Sequence, residues 1–339
     1  MTTLHSCAKM ISQLHRLIPI TCSGQRGFKR WVAPVKKVMA VRQKKMGPQP
    51  VPIRNTFLEW NFDAEIFAFN KRLSEQFDSE LLVQALTHRS YVIQEEQKQR
   101  DVGITEPKLD IEDNREMIEE GAELTSRIVV SYLGKCLPLA PEECIFALHD
   151  HLLSQKTLAH VSSHIGTKDI ILVAGNIADE GILADTFLAL VSALTRSVDV
   201  IHAGAFVRDF LIATLAEKDL IEIWTPSNPL ENLNEILRKD NRQLAEPRLI
   251  SQTGINSLIP VYRVAVYSNK EFLGVGCGET IDVAKEVAAT DALLRIFNLN
   301  NYQNLKYDLK VDISKDNMEN LPLTKWCTEN VQKVLQLKT

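Results

Sequence analysis

Apolar positions recur at helical spacing from residue 60 to residue 237, alternate between residues 260 and 268, and return to helical spacing before residue 297. Residues 60–77 set Trp60, Ile66, Phe67, Phe69, Leu73 and Phe77 among charges, the pattern of an amphipathic helix. Leu82, Val83 and Leu86 share one face of the next helix, 79–90. Residues 114–133, NREMIEEGAELTSRIVVSYL, begin acidic and then turn Ile118, Ala122, Ile128, Val129 and Leu133 toward a core. Gly121 interrupts that helix at a cost of about 1 kcal/mol against alanine, which predicts a close backbone approach there. Pro138 and Pro141 separate it from helical patterns at 142–154 and 157–165 and from a short apolar segment at 168–174. A second dense block, GILADTFLALVSAL, fills 181–194, whereas the charged stretch 91–113, broken at Gly103 and Pro107, reads as a surface loop.

Ser227-Asn228-Pro229 then supplies a cap and a proline at the first helical position, ahead of Leu230, Leu233, Ile236 and Leu237. Residues 248–251 and 260–268 read as strands, the second alternating Val261, Arg263 and Ala265 against Tyr262, Val264 and Val266. Asn269-Lys270 turns it into a third strand at 271–278, and Thr280 opens a closing helix through Phe297. Ala284, Val287, Ala288 and Ala292 form its small-residue face toward the sheet. The fold class is therefore α+β: an all-α helical domain followed by an α-β-β-β-α domain. In the tail, Trp326, Val331, Val334 and Leu335 predict one short helix that docks onto a neighbour.

Bulk properties add three points. With 339 residues, 45% hydrophobic and 24% charged, the chain is of soluble globular composition and long enough for two cores plus tails. The run 181–194 is too short to cross a bilayer and contains Asp185, so no membrane insertion is expected. The cysteines, at 7, 22, 136, 144, 277 and 327, form no CxxC pair and no metal-ligand spacing, which points to a reducing compartment without disulfides or zinc.

Charge is the most uneven property. Residues 1–58 hold six Lys, five Arg and no Asp or Glu, so against a net −4 for the whole chain the other 281 residues carry −15. Residues 1–30 mix Ser, Thr, Lys and Arg with Met10, Ile11, Leu14, Leu17 and Ile18, as a mitochondrial transit peptide does; a plain basic tail is the alternative. Residues 31–58, with Pro34, Pro48, Pro50 and Pro52, read as an extended basic linker or arm. Lys36, Lys37 and Arg42, with Lys44, Lys45 and Trp31, either follow RNA phosphates or are simply solvated.

Three blocks resemble the ribonuclease III family. The residues around Gly121 are similar to its signature helix, Asn-Glu-Arg-Leu-Glu-Phe-Leu-Gly-Asp; LLVQALTHRSY at 81–91 resembles its first block, with Thr87-His88-Arg89-Ser90 matching fully. Ala184-Asp185-Thr186-Phe187 agrees with its Ala-Asp-x-Phe run, and Ser192 stands where that run has glycine. The resemblance implies two-metal phosphodiester hydrolysis, in which clustered carboxylates hold Mg²⁺ to activate water and stabilise the leaving oxygen. The family's four ligand positions fall on Ile118, Ala122, Asp185 and Leu188, so three of the four carboxylates are missing. Alkyl groups cannot hold a hard cation, and the expectation is a pseudoenzyme with no catalytic residues, no metal and no cofactor. Glu119 with Glu123, and Glu116 with Glu120, keep the i,i+4 spacing, but one register step turns them roughly 100° away from Asp185. They read as a solvated acidic face, and Asp185 as a buried hydrogen-bond acceptor or packing residue. Thr87, His88, Arg89 and Ser90 read as helix-end and backbone-bonding residues, with His88 as a base the weaker alternative.

NPLENLNEIL, FLGVGCGET and AKEVAATDALL resemble the double-stranded-RNA-binding domain, which reads duplex shape across minor grooves. That resemblance makes Glu235 and Arg238 on its first helix, and Thr280 and Lys285 at the start of its last, RNA-binding candidates. The usual Ser-Lys-Lys is here Thr280-Ile281-Asp282, the loop 253–257 lacks the usual histidine, and residues 226–299 carry a net −1. Weak binding to free duplex is expected. EWNFDAEIFAFNKRL at 59–73, with NREMIEEGAEL and GETIDVAKEVAA, resembles the mitochondrial large-subunit ribosomal protein forty-four family. This implies domains at 59–225 (ribonuclease-III-like) and 226–299 (double-stranded-RNA-binding-like), then a tail at 300–339. It also implies a structural role in the mitochondrial large ribosomal subunit of the matrix, with rRNA and neighbouring ribosomal proteins as partners, supporting assembly and translation. The alternatives are a divergent Mg²⁺-dependent mitochondrial endoribonuclease using Asp185 with Glu119 and Glu123, and a scaffold paired through the signature helix.

Overall fold

The computed structural model describes residues 26–47, 58–104, 109, 111–176, 178–299 and 320–338. The chain divides into two units, Met1–Thr56 and Phe57–Thr339. In the first, α1 (Arg26–Met46) is a helix with Pro34 inside it and Lys44 and Lys45 in its last turn. The extended arm expected from residue 31 is therefore corrected as far as Met46. Lys, Arg, Gln, Met and Ala are strong helix formers, and their combined propensity outweighs the one hydrogen bond that Pro34 forfeits. The helix stops where Gly47 takes a left-handed φ of 76°, ahead of the proline-rich run, which lies outside the described residues. The expected targeting leader at 1–30 lies outside them too, apart from its last five residues, which belong to α1.

The second unit opens with a helical domain: α2 (Phe62–Leu73), α3 (Ser79–Leu86), α4 (Arg89–Asp101), α5 (Arg115–Cys136), α6 (Glu142–Leu152), α7 (Gln155–Ile165), α8 (Glu180–Ser197), α9 (Val200–Phe210) and the short α10 (Leu220–Ile223). α8 is the axis. Every residue from Thr186 to Leu194 is buried, and α3, α5, α7 and α9 all pack on it. A stretch of helix buried on every side needs such a complete jacket.

The stretch expected to be a surface loop is instead mostly α4, a correction with a local cause. The His88 side chain caps its first turn, the pairs Lys98–Glu95 and Arg100–Glu96 brace its exposed side, and Gly103 at φ 100° ends it.

The second domain follows as α11 (Pro229–Lys239), β1 (Glu246–Thr253), β2 (Val261–Ser268), β3 (Glu271–Gly278) and α12 (Ile281–Ile296), an antiparallel sheet in the order β1-β2-β3. Asn269 and Lys270, at φ 51° and 67°, make the tight β2–β3 hairpin turn in the left-handed region. Gly274, Gly276 and Gly278 of β3 lie so close to α12 that added β-carbons would meet the backbones of Ala292, Ala288 and Ala284. That approach leaves room only for alanine, so Val287, placed on the sheet-facing side by sequence, turns outward at 43% exposure. The Asn228 cap is corrected as well: at φ 51° its amide donates to Glu231 instead of accepting from the helix start.

The C-terminal α13 (Thr328–Lys338) and the segment before it dock on this chain itself, not on a neighbour as expected. Asn320 donates to the carbonyls of Leu137 and Ala140, both at 2.9 Å, and Trp326 Nε1 donates to that of Leu139 at 3.0 Å. The Trp326 ring stands edge-on to Phe297 at 5.0 Å, and Phe297 also meets Trp224 at 6.2 Å. The tail thus ties both domains together because its buried tryptophan finds an apolar slot and an acceptor in the same place.

Candidate functional site

The three motif blocks converge around α5 and α8. Thr87 begins the junction: its hydroxyl donates to Val83 O at 2.8 Å, and its carbonyl accepts from Asn114 N at 3.2 Å. His88 N donates to Leu172 O and Leu172 N to Leu86 O, a short parallel bridge between distant segments. His88 Nδ1 accepts from Ser90 N at 3.2 Å, and Ser90 Oγ in turn accepts from Ala174 N at 3.2 Å. Arg89 bonds the Asp113 carboxylate at 3.3 Å, where sequence reasoning gave it a backbone partner. Asn114 completes the junction, donating from its buried amide to Ala85 O at 3.2 Å.

The four residues that the resemblance sets at ligand positions lie on α5 and α8, which pack against each other. Ile118 and Ala122 on α5 are half-buried against the core, Leu188 on α8 is buried, and Asp185 is half-buried one turn before it. Gly121 lies between them, its α-carbon against the Leu188 carbonyl, which is the close approach predicted from sequence. Among the described residues no hydrogen bond reaches the Asp185 carboxylate, which corrects the expectation of an acceptor. Burial pushes its pKa up, and the nearby His88 opposes that shift.

The acidic side chains do not share one solvated face. Glu119 and Glu123 are exposed, but Glu120 accepts from Ser192 Oγ at 2.6 Å and from Arg196 Nε at 2.8 Å, and Arg196 also reaches Glu116 at 3.4 Å. Both bonds fall on Glu120 Oε2, and the guanidinium sets a fixed positive charge beside the carboxylate, which disfavours a metal cation there. Sequence reasoning missed this latch. The signal was present: Asp185, Leu188, Ser192 and Arg196 recur at three- and four-residue steps, so they line one face of α8. Among the described residues, no three His, Cys, Asp or Glu side chains cluster as a metal site.

The RNA-binding candidates are dispersed. Lys36, Lys37 and Arg42 are exposed on α1, in the first unit. Glu235 and Arg238 are exposed on α11, which packs against α12. Thr280 caps α12, accepting from Val283 N at 3.3 Å, and Lys285 is half-buried and held by Asp282 at 3.0 Å. Among the described residues Cys136, Cys144, Cys277 and Cys327 form no disulfide, and no helix is long and apolar enough to cross a membrane.

Two family models match in succession. "Large ribosomal subunit protein mL44, endonuclease domain" covers residues 61–194, and "MRPL44 dsRNA-binding domain" covers 224–327, together well over half of the chain. Large ribosomal subunit protein mL44 of Caenorhabditis elegans is 28% identical over 89% of this chain and 74% of its own length. Ribonuclease 3 of Bacillus licheniformis is 23% identical over 67% of this chain and 88% of its own length. The nuclease domain of ribonuclease III from Campylobacter jejuni aligns at a TM-score of 0.38 and 20% identity, over 45% of this chain and 98% of that one. With both of its domains matched in order and a relative aligned along most of its length, the chain belongs to the large ribosomal subunit protein mL44 family.

Proposed function

We propose that this protein is a structural component of the mitochondrial large ribosomal subunit that holds rRNA and neighbouring proteins in the matrix and does not cut RNA. The observation that carries the second half of this reading is the α5–α8 contact: Ile118, Ala122 and Leu188, which the resemblance sets at ligand positions, are alkyl side chains packed in or against the core, and Glu120 is engaged by Arg196 and Ser192. Hydration favours leaving Mg²⁺ in water over a site offering Asp185 alone. Family membership supports the ribosomal half. The domain division we adopt is a leader at 1–30, a basic arm at 31–58, the nuclease-like body at 59–225, the RNA-binding-like domain at 226–299 and the docked tail. Lys36, Lys37 and Arg42 on α1 supply the cationic contacts, and Arg238 and Lys285 lesser ones; many weak contacts suffice at the high local concentration inside a ribosome.

Sedimentation of a mitochondrial lysate through a magnesium-containing gradient tests the reading. The protein is expected in the large-subunit and monosome fractions, and its presence only near the top would overturn the ribosomal role. Light scattering of the purified chain separates the scaffold alternative, since pairing through α5 would give a stable dimer.

A further inference from the structure

A cleft of about 810 Å³ lies between α7 and the 3₁₀ turns Ile212–Glu217, away from the residues assigned above. Lys156, His160 and His164 are spaced four apart along α7 and are exposed, so they make one stripe down its wall. The His160 and His164 rings stand 4.1 Å apart. Lys218 approaches His151 Nε2 at 2.9 Å, and Phe210 adds an aromatic surface. No carboxylate is among the described lining residues, although residues 59–339 carry a net −15. In so acidic a body, a cavity whose described lining offers cations and imidazoles and no acid selects for an anion. Burial and then the neighbouring Lys218 push His151 below the usual histidine range, which keeps the ring an uncharged acceptor. The Lys218 ammonium has three donors, of which His151 occupies one.

We propose that this cleft binds a phosphate ester of a nucleotide, with Lys156, Lys218 and the α7 histidines around the phosphate and the base against Phe210. Cations beside an aromatic surface are the combination by which proteins hold single nucleotides or single-stranded RNA. Two sources share this chemistry: an RNA strand and a free nucleotide. The proposal does not depend on the ribosomal role, and purified protein tests it.

The full chain is titrated with a short fluorescent single-stranded RNA across a salt series, and separately with 5′-AMP by calorimetry. For an RNA strand, Lys156→Gln with Lys218→Gln weakens binding severalfold and reduces the slope of log K against log salt by about 1.4, roughly 0.7 per lost contact. For a free nucleotide, the RNA slope is unchanged but 5′-AMP binds the parent protein and not the double variant. The exposed single variant Lys156→Gln repeats the test without touching His151, and Lys36→Gln/Lys37→Gln/Arg42→Gln accounts separately for RNA held by α1. An unchanged RNA slope together with no 5′-AMP binding to the parent protein overturns the proposal.

Discussion

Gly121 on α5 lies directly beneath the Leu188 carbonyl of α8, so close that a β-carbon at 121 would overlap that oxygen and its carbon. The spacing of the two central helices is therefore set by backbone against backbone. A Gly121→Ala change gains about 1 kcal/mol of helix propensity but must push a main chain aside, so a net loss of roughly 1–3 kcal/mol is expected. Gly181→Ala is the control, because its β-carbon meets only the end of the Gln155 side chain. Denaturant unfolding checks the pair: a lower midpoint for the first and little change for the second.

Asp185 is a carboxylate whose pKa is raised by burial. A raised folded-state value favours the protonated form, so its stabilising contribution is present below the ordinary aspartate range and is lost as pH rises through the folded value. Asp185→Asn should therefore raise Tm near neutral pH, with the difference fading below about pH 4. Thermal melts across pH measure this, and a neutral-pH Tm lowered by the change would show that the charge is needed for the fold.

Burial lifts the Cys144 thiol to about 12, with Glu143 adding to the shift. Because the thiolate is the reactive form, Cys144 should resist alkylation at mildly alkaline pH, while the exposed Cys277 reacts. Peptide mass mapping after a short iodoacetamide pulse reads both sites, and denaturant should make Cys144 reactive.

Trp326 is a test of how the tail is held. It is 3% exposed, packs on Phe297 and donates to Leu139. Trp326→Ala should cost about 3–5 kcal/mol of unfolding free energy. Hydrogen exchange should also quicken at the 3₁₀ turn Leu323–Lys325 and around 137–143, where Asn320, Trp326 and the Leu323 amide are anchored. Unchanged exchange in both segments would mean the tail does not hold the two domains.

What sequence patterning could reach was decided by range. Gly121 betrayed its contact because a mid-helix glycine is locally costly, and alternation placed the Val261–Ser268 strand, although Val264, Ala265 and Val266 are all buried there, so its two faces do not separate as that period implied. Residues 91–101 misled because charge reads as loop, while their i,i+3 and i,i+4 pairs and the His88 cap stabilise a helix. The Glu120–Arg196 bond spans 76 positions, and the Trp326–Leu139 bond spans 187; no local pattern announces either. The assignment of Ile118, Ala122 and Leu188 to ligand positions rests on resemblance alone, since by themselves they look like ordinary helix-packing residues.

Incubation of the purified protein with duplex RNA and Mg²⁺ or Mn²⁺ tests the α5–α8 contact most directly. A duplex left intact at every cation concentration is the predicted result, for the parent protein and for Asp185→Asn alike. Cation-dependent cleavage by the parent protein that Asp185→Asn abolishes would contradict it.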